Sequence, residues 1–310
     1  MPVFSTLKDR LGRGRFVFTA EITPPLSADP ADLEQIALPL KGIADAVNVT
    51  DAPSSRVHMG ALAAASLLAS WGVEPILQMT CRDRNRIALQ GDLVGAAALG
   101  IRNLLILGGD DPGAGDQPDA KPVFDLDAVG LAETARHMRD EGTLPTGRAI
   151  AGKCDFLIGG VDAPIDPPVG WRPDRLAAKH RAGMGFVQTQ FCMDAALLRR
   201  YIARLADAGL VPSMHYIVGI APLVSAKSAR WMREKLFGTM IPDTIVERME
   251  GAKDPLAEGI RICLELIAEF STIKGVSGVH IMTPRNQAAI PALIRDAKAE
   301  LGHVQGDRTR

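Results

Sequence analysis

Short apolar runs alternate with amphipathic segments along all 310 residues of the chain. Runs at residues 16–22, 46–50, 74–80, 103–107, 154–158, 186–190, 213–218 and 278–282 predict eight strands. Helical spacing fills the intervals. Residues 29–40 place Leu33, Ile36 and Leu40 on one face, and 86–99 carry Ile87, Leu89, Leu93 and Val94 among alanines. Residues 194–208 set Leu197, Leu198, Ile202 and Leu205 at helical intervals. The strand runs are continuous rather than alternating, as in strands buried on both faces. Eight such units predict an α/β fold of the (β/α)8 barrel type, one catalytic domain over 1–310 with no interdomain linker. A doubly wound sheet would carry GxGxxG after its first strand, where this chain has "EITPP". Residues 228–270 hold more helical periodicity than one crossover uses, which predicts extra helices between strands seven and eight.

Composition narrows the class of function. A formal net charge of -1 offers no attraction to nucleic acid or to an anionic membrane. Cys81, Cys154, Cys192 and Cys263 are scattered without a CxxC pair, the pattern of reduced thiols rather than of disulfides or structural zinc. The opening "MPVFSTLKDRLGRGRF" has no apolar signal core, and no apolar run is long enough for a bilayer. A cytoplasmic location is expected.

Chemistry in such a barrel collects at the C-terminal ends of the strands. Those ends bring Glu21, Thr50 with Asp51, Gln78 and Thr80, Gly109 with Asp110, Gly159 with Gly160, Gln190, Gly219, and Met282 with Thr283. No Ser/His/Asp set and no HExxH motif is present, and none of the six histidines ends a predicted strand, so no metal is expected. Carboxylates, amides and bare glycine backbone suit a polar heterocycle and a flat cofactor or phosphate. Taken singly, Thr50 and Thr80 read as strand ends or helix caps. Asp83 reads as a cap or loop ion pair, "GGDDPGAGDQ" as a turn, and Lys179 as a solvated helix lysine.

Read together, the blocks resemble the methylenetetrahydrofolate reductase family. They are "AEITPP", "NVTDAP", "QMTCRDRNRIALQGDLVGAAALGIRNLLILGGDDP", "AGMGFVQTQFCMD", "VGIAPLVSAKSARWM", "IPDTIVERMEGAKDPLAEGI" and "GVHIM". The "CRDRNRIALQ" variant is most similar to the branch found in acetogens and other one-carbon specialists. The resemblance implies a flavin-containing barrel in which NADH or NADPH reduces the flavin and 5,10-methylenetetrahydrofolate then accepts the hydride. Glu21 matches the general acid, Asp110 the aspartate between flavin and pterin, and Gln190 the glutamine that binds the pterin or nicotinamide amide. Thr50 matches a flavin-contacting threonine and Lys179 a lysine near the flavin phosphates. Gln78, Thr80, Gly109 and Gly159 complete the implied cofactor-binding set. Ring opening creates an amine leaving group that needs a proton, and an apolar strand end favours the uncharged form of an acid. Asp110 on a nearby strand is expected to act as a neighbouring anion.

The chain departs from the family pattern at several points. Gln78 stands where many members have a histidine, "LGGD" lacks an arginine, "IGG" lacks an aromatic residue, and Ala226 replaces a phenylalanine. FAD is the first flavin implied, with FMN or a flavin-free transfer as alternatives. A non-redox pterin-binding methyl-transfer barrel and a non-catalytic subunit are the competing functions. Neither the nicotinamide preference nor the direction of the reaction is written in a motif. Barrels of this family commonly self-associate, which leaves a homo-oligomer open.

Overall fold

The computed structural model describes residues 6–283 and 286–307. Eight parallel strands close a barrel in chain order. They are β1 (Val17–Ile22), β2 (Ala46–Val49), β3 (Pro75–Thr80), β4 (Asn103–Leu107), β5 (Leu157–Asp162), β6 (Phe186–Phe191), β7 (His215–Ile220) and β8 (Val276–Ile281). Helix α1 (Thr6–Gly12) precedes β1, and α2 (Pro30–Ala37), α3 (Ala61–Ser70), α4 (Arg86–Ala98) and α5 (Ala128–Glu141) follow the first four strands. Next come α6 (Asp174–Arg181) and α7 (Ala195–Asp207). Three helices separate β7 from β8: α8 (Ala226–Lys235), α9 (Asp243–Gly251) and α10 (Pro255–Phe270). This is the surplus that the periodicity of 228–270 predicts. Helix α11 (Ile290–Asp307) ends the described chain.

Local chemistry starts the helices where the periodicity places them. Asp29, Asn85, Asp127, Asp194 and Asp254 each accept backbone N–H groups in the first turns of α2, α4, α5, α7 and α10. Among the described residues, no helix is long and apolar enough to cross a membrane.

Strand residues alternate between two cores. Outward residues such as Phe18, Ala20 and Ile22 join the large cluster between sheet and helices. Inward residues Val17, Ala46, Ile76, Leu105, Phe186 and Ile217 form a second cluster with Leu7 and Leu11 of α1. The first three of these lie at the starts of their strands, so α1 closes the N-terminal end of the barrel with an apolar plug. The opposite end is left for polar groups.

Strand five differs from its predicted span of 154–158. Cys154 and Phe156 are buried, but they belong to a turn in which the Phe156 N–H donates to the Cys154 carbonyl at 2.9 Å. Pairing with β4 begins at Leu157, opposite Asn103. Apolar lead-in and strand look alike in a hydrophobic run, which is why the sequence reading starts the strand early. Gly159 therefore lies in mid-strand, and the C-terminal end is Asp162. A Cβ at Gly159 would lie 2.2 Å from the ring of Phe186. The missing side chain makes room for the largest member of the inner apolar cluster. Strand seven also runs later than predicted, ending at Ile220 instead of Val218.

Gly159→Ala is accordingly expected to destabilise the fold by about 1–3 kcal/mol through overpacking. Phe186→Leu in the same chain should recover part of that loss. Urea unfolding of the two variants checks both.

Candidate active site

Glu21 is the fifth residue of β1 and shares the inward face with Val17 and Thr19. Pro24 and Pro25 follow after Ile22 and Thr23, and proline cannot donate to a strand ladder, so β1 stops just beyond the acid. The Glu21 side chain is 25% exposed, placed at the boundary between core and mouth. Its Oε2 accepts from Gln78 Nε2 of β3 at 3.0 Å and lies 3.6 Å from His280 Nε2 of β8. These contacts bring one acid, one amide and one imidazole from three strands to a single oxygen.

A buried polar layer lies beneath. His280 is 2% exposed, and its Nδ1 lies 2.9 Å from Thr19 Oγ1. Gln188 Nε2 donates to Thr19 Oγ1 at 3.0 Å and to Asn48 Oδ1 at 3.1 Å, while Asn48 Nδ2 donates back to Gln188 Oε1 at 2.6 Å. Thr19, Asn48, Gln188 and His280 are all buried, and each has at least one hydrogen-bond partner within the layer. Buried polar groups satisfied in this way rigidify the site they support.

The loops after β2, β3 and β4 are tied into one wall. Asp51 Oδ2 accepts the backbone N–H of Thr80 at 2.8 Å and its hydroxyl at 2.9 Å, and also pairs with Arg84. Buried Arg82 donates to Ser55 Oγ at 2.9 Å, to the Ala52 carbonyl at 3.2 Å and to both oxygens of Asp83 at 2.7 Å. Asp83 is thus the loop ion pair its surroundings predict. Asp110 Oδ2 accepts the Ser54 N–H at 2.8 Å. These bonds hold Ala52, Ser54 and Ser55 at φ of 48°, 55° and 54°. Such left-handed residues cost about 1–3 kcal/mol each and persist only where the surroundings over-determine them.

The remaining predicted residues fall into two groups. Thr50 Oγ1 is buried and has no hydrogen-bond partner among the described residues. Gln190 uses Oε1 on the Phe191 N–H at 3.0 Å, which leaves its amide nitrogen without a partner among the described residues. Gly109, at φ +100°, packs on the side chains of Thr80 and Arg82, and the preceding Gly108 faces open space. The others are engaged elsewhere. Lys179 is partly buried on the outer side of β5, where its ammonium donates to the Val161 carbonyl, and burial lowers its pKa. Asp162, at the end of β5, takes hydrogen bonds from Tyr201 and Tyr216. Asp110 is exposed and neither hydrogen-bonds nor pairs with Glu21. The neighbours of the acid are His280 and Gln78 instead.

The set fits a flat polar ring at the mouth in part. Thr50 supplies an orphaned hydroxyl, Gln78 an amide, and Gly108–Gly109 a stretch of bare backbone. Gly159, filled by Phe186, and Lys179, held by Val161, do not open onto that mouth. Both hydrogen-bonding groups of Thr80 are spent on Asp51. Among the described residues, no group of three or more His, Cys, Asp or Glu is placed to hold a metal. All four cysteines are buried and free, and burial pushes Cys81 up to about 11 and Cys192 to about 12. Neither thiol supplies a thiolate nucleophile near neutrality.

The family model described as methylenetetrahydrofolate reductase matches residues 6–298, which includes every strand of the barrel. The chain belongs to the methylenetetrahydrofolate reductase family. A relative from Caenorhabditis elegans described as "Probable methylenetetrahydrofolate reductase (NADPH)" is 26% identical over 317 residues. That match covers 99% of this chain but 41% of the nematode protein. Among solved structures, an uncharacterized Clostridium thermocellum protein, described as binding two copies of 5-methyl-5,6,7,8-tetrahydrofolic acid, superposes with a TM-score of 0.64. It is 16% identical, with 94% of this chain and 99% of that one covered, and shares the fold. DmoA from Hyphomicrobium sulfonivorans shares it more loosely, with a TM-score of 0.54, 12% identity and coverage of 92% and 88%.

For a methylenetetrahydrofolate reductase barrel, the residues missed by sequence reasoning are His280, Gln188, Asn48 and Arg82. Histidine in "GVHIM" and glutamine in "FVQTQF" stand at inward positions of apolar strands. Two polar residues at core positions of different strands were the available signal.

The orphaned hydroxyl gives a test of cofactor fit that does not depend on turnover. Thr50→Val keeps the shape and removes the unsatisfied group, so the ligand-free protein should gain about 1 kcal/mol. Flavin affinity, read by absorbance titration, should fall. Thermal melting and titration together check the paired outcome.

Proposed function

We propose that the chain reduces 5,10-methylenetetrahydrofolate to 5-methyltetrahydrofolate, using a hydride from NADH or NADPH that passes through a bound flavin. The observation that carries this reading is Glu21, held at the barrel mouth by Gln78 and next to His280 in a chain of this family. The nematode relative's name supports a nicotinamide donor, and the Clostridium barrel's ligand supports a folate.

The chemistry assigns work to this chain's residues. Opening the five-membered ring breaks a C–N bond whose electron pair leaves with the amine nitrogen. Glu21 donates the proton that neutralises that nitrogen, and its conjugate base is received by the Gln78 N–H. The carbon left behind is an iminium centre, electron-poor and ready for a hydride. Gln190 binds the pterin amide edge, and the Asp110 carboxylate, held by the Ser54 N–H, is the anion contributed by the β4 loop. Thr50, Gln78, Gly109 and Asp110 would hold the flavin, FAD first and FMN as the alternative. When bound, the flavin supplies a two-electron relay between nicotinamide and folate. In the oxidative direction the Glu21 carboxylate takes the same proton back.

A second reading, direct transfer from nicotinamide to folate without flavin, is favoured by one observation. Lys179, Gly159 and Thr80 are committed to protein contacts.

Glu21→Gln keeps size and hydrogen bonding but removes the proton. In stopped flow, bleaching of flavin absorbance by the nicotinamide should stay within a modest factor of the parent protein. The folate half-reaction should fall by about 10²–10⁴-fold. Equal loss in both halves with a lowered melting temperature would return Glu21 to a structural role. Full turnover with no visible absorbance would establish the flavin-free reading.

The folate's benzoyl group needs an apolar surface. Ala221, Leu223, Val224, Trp231, Met232 and Thr283 line a pocket beside the ends of β7 and β8, with Trp231 half-exposed. Trp231→Ala is expected to raise KM for the folate about tenfold with kcat little changed, the mark of lost uniform binding. Steady-state kinetics at varied folate checks the split.

A further inference from the structure

The polar layer under Glu21 has a direction. Asn48 and Gln188 exchange two amide hydrogen bonds, which spends Gln188 Oε1 and one of its two N–H groups. The second N–H points at Thr19 Oγ1 at 3.0 Å, with His280 Nδ1 at 3.4 Å. Thr19 then accepts from Gln188 and has one proton to donate. Its acceptors are His280 Nδ1 at 2.9 Å and the Val279 carbonyl at 3.4 Å, and the nearer one is the imidazole nitrogen. An imidazole that accepts at Nδ1 carries its proton on Nε2. That nitrogen faces Glu21 Oε2 at 3.6 Å.

We propose that the Asn48–Gln188–Thr19 chain is a positioning device that fixes His280 as its Nε2–H tautomer, aimed at the Glu21 carboxyl. This rests on the reading of Glu21 as the general acid. When Glu21 releases its proton, negative charge appears on a carboxylate whose Oε2 faces two N–H groups, those of Gln78 and His280. Neither has to reorient, because the imidazole is locked by the layer beneath it and buried from water. Preorganised donors of this kind act where charge develops and cost no rearrangement during the step. His280 is a positioning residue here: it acts on the substrate only through Glu21.

Two measurements on the whole protein test this. The first reads the tautomer without turnover, by ¹⁵N-edited NMR of the imidazole nitrogens, with His280 assigned from the signals lost in His280→Gln. The proton is expected on Nε2, and Thr19→Val should shift the equilibrium toward Nδ1–H. A proton on Nδ1 in the parent protein, or no response to Thr19→Val, overturns the proposal.

The second is a double-mutant cycle on the folate half-reaction. His280→Leu should slow it about 10–100-fold, the scale of a hydrogen bond to a charged group. His280→Gln, which offers an amide N–H in nearly the same place, should restore most of the rate. In the Glu21→Gln background, where no charge develops, His280→Leu should change little. A loss that multiplies fully in both backgrounds overturns the positioning role while leaving the acid in place. A Glu21→Gln protein as fast as its parent removes the acid reading, and the role of His280 with it.

Discussion

The pairing of β1 with β8 is the constraint on which the site depends. It joins strands from opposite ends of the chain, with Val17 opposite Gly278, Thr19 opposite His280 and Ala20 opposite Ile281. The fit is close: a Cβ at Gly278 would lie 2.2 Å from the Val17 carbonyl oxygen. A slip of one residue would turn His280 to the outer core and face apolar neighbours inward. The register that closes the barrel is therefore the same one that sets the imidazole between Thr19 and Glu21. Closure and site assembly are one event.

Above that closed floor, the mouth is built from loops that support each other rather than from the strands alone. Arg82 gathers the β2 and β3 loops, and Asp110 reaches from the β4 loop to the strained turn at Ser54. The conformations of Ala52, Ser54 and Ser55 are unfavourable on their own and are kept by these bonds. One side of the mouth is thereby rigid. The other side, near β7 and α8, is apolar and carries the half-exposed Trp231. A ligand with a polar ring and an apolar tail matches that division.

Much of this was legible in the chain, and the exceptions have physical causes. Glu21 stood out because an acid interrupts an apolar run three residues before a pair of prolines, which local pattern alone reveals. The helices were legible from their apolar spacing, as were the extra ones before β8. Gly159 was misplaced because Cys154 and Phe156 are as apolar as strand residues although they lie in a turn. Lys179 reads as solvated in a charged helix, yet its stem lies against Gly160 and its ammonium finds a backbone carbonyl. His280 was hidden for a different reason. Its meaning comes from contacts with Thr19 and Glu21, about as far away in sequence as the fold permits, and no local window contains them.

The reciprocal amide pair of Asn48 and Gln188 has a consequence for how such chains diverge. Each amide satisfies the other in a space closed to water, so changing either one alone strands its partner with unpaired hydrogen-bonding groups. Exchanging both for apolar residues of matching volume strands neither amide, and the one donor then lost is the N–H that Gln188 gives to Thr19 Oγ1. Intermediates on that path are less stable than either end. Positions 48 and 188, on different strands and 140 residues apart, are expected to be inherited as a unit. Lineages should carry either both amides or an apolar pair, and seldom one of each.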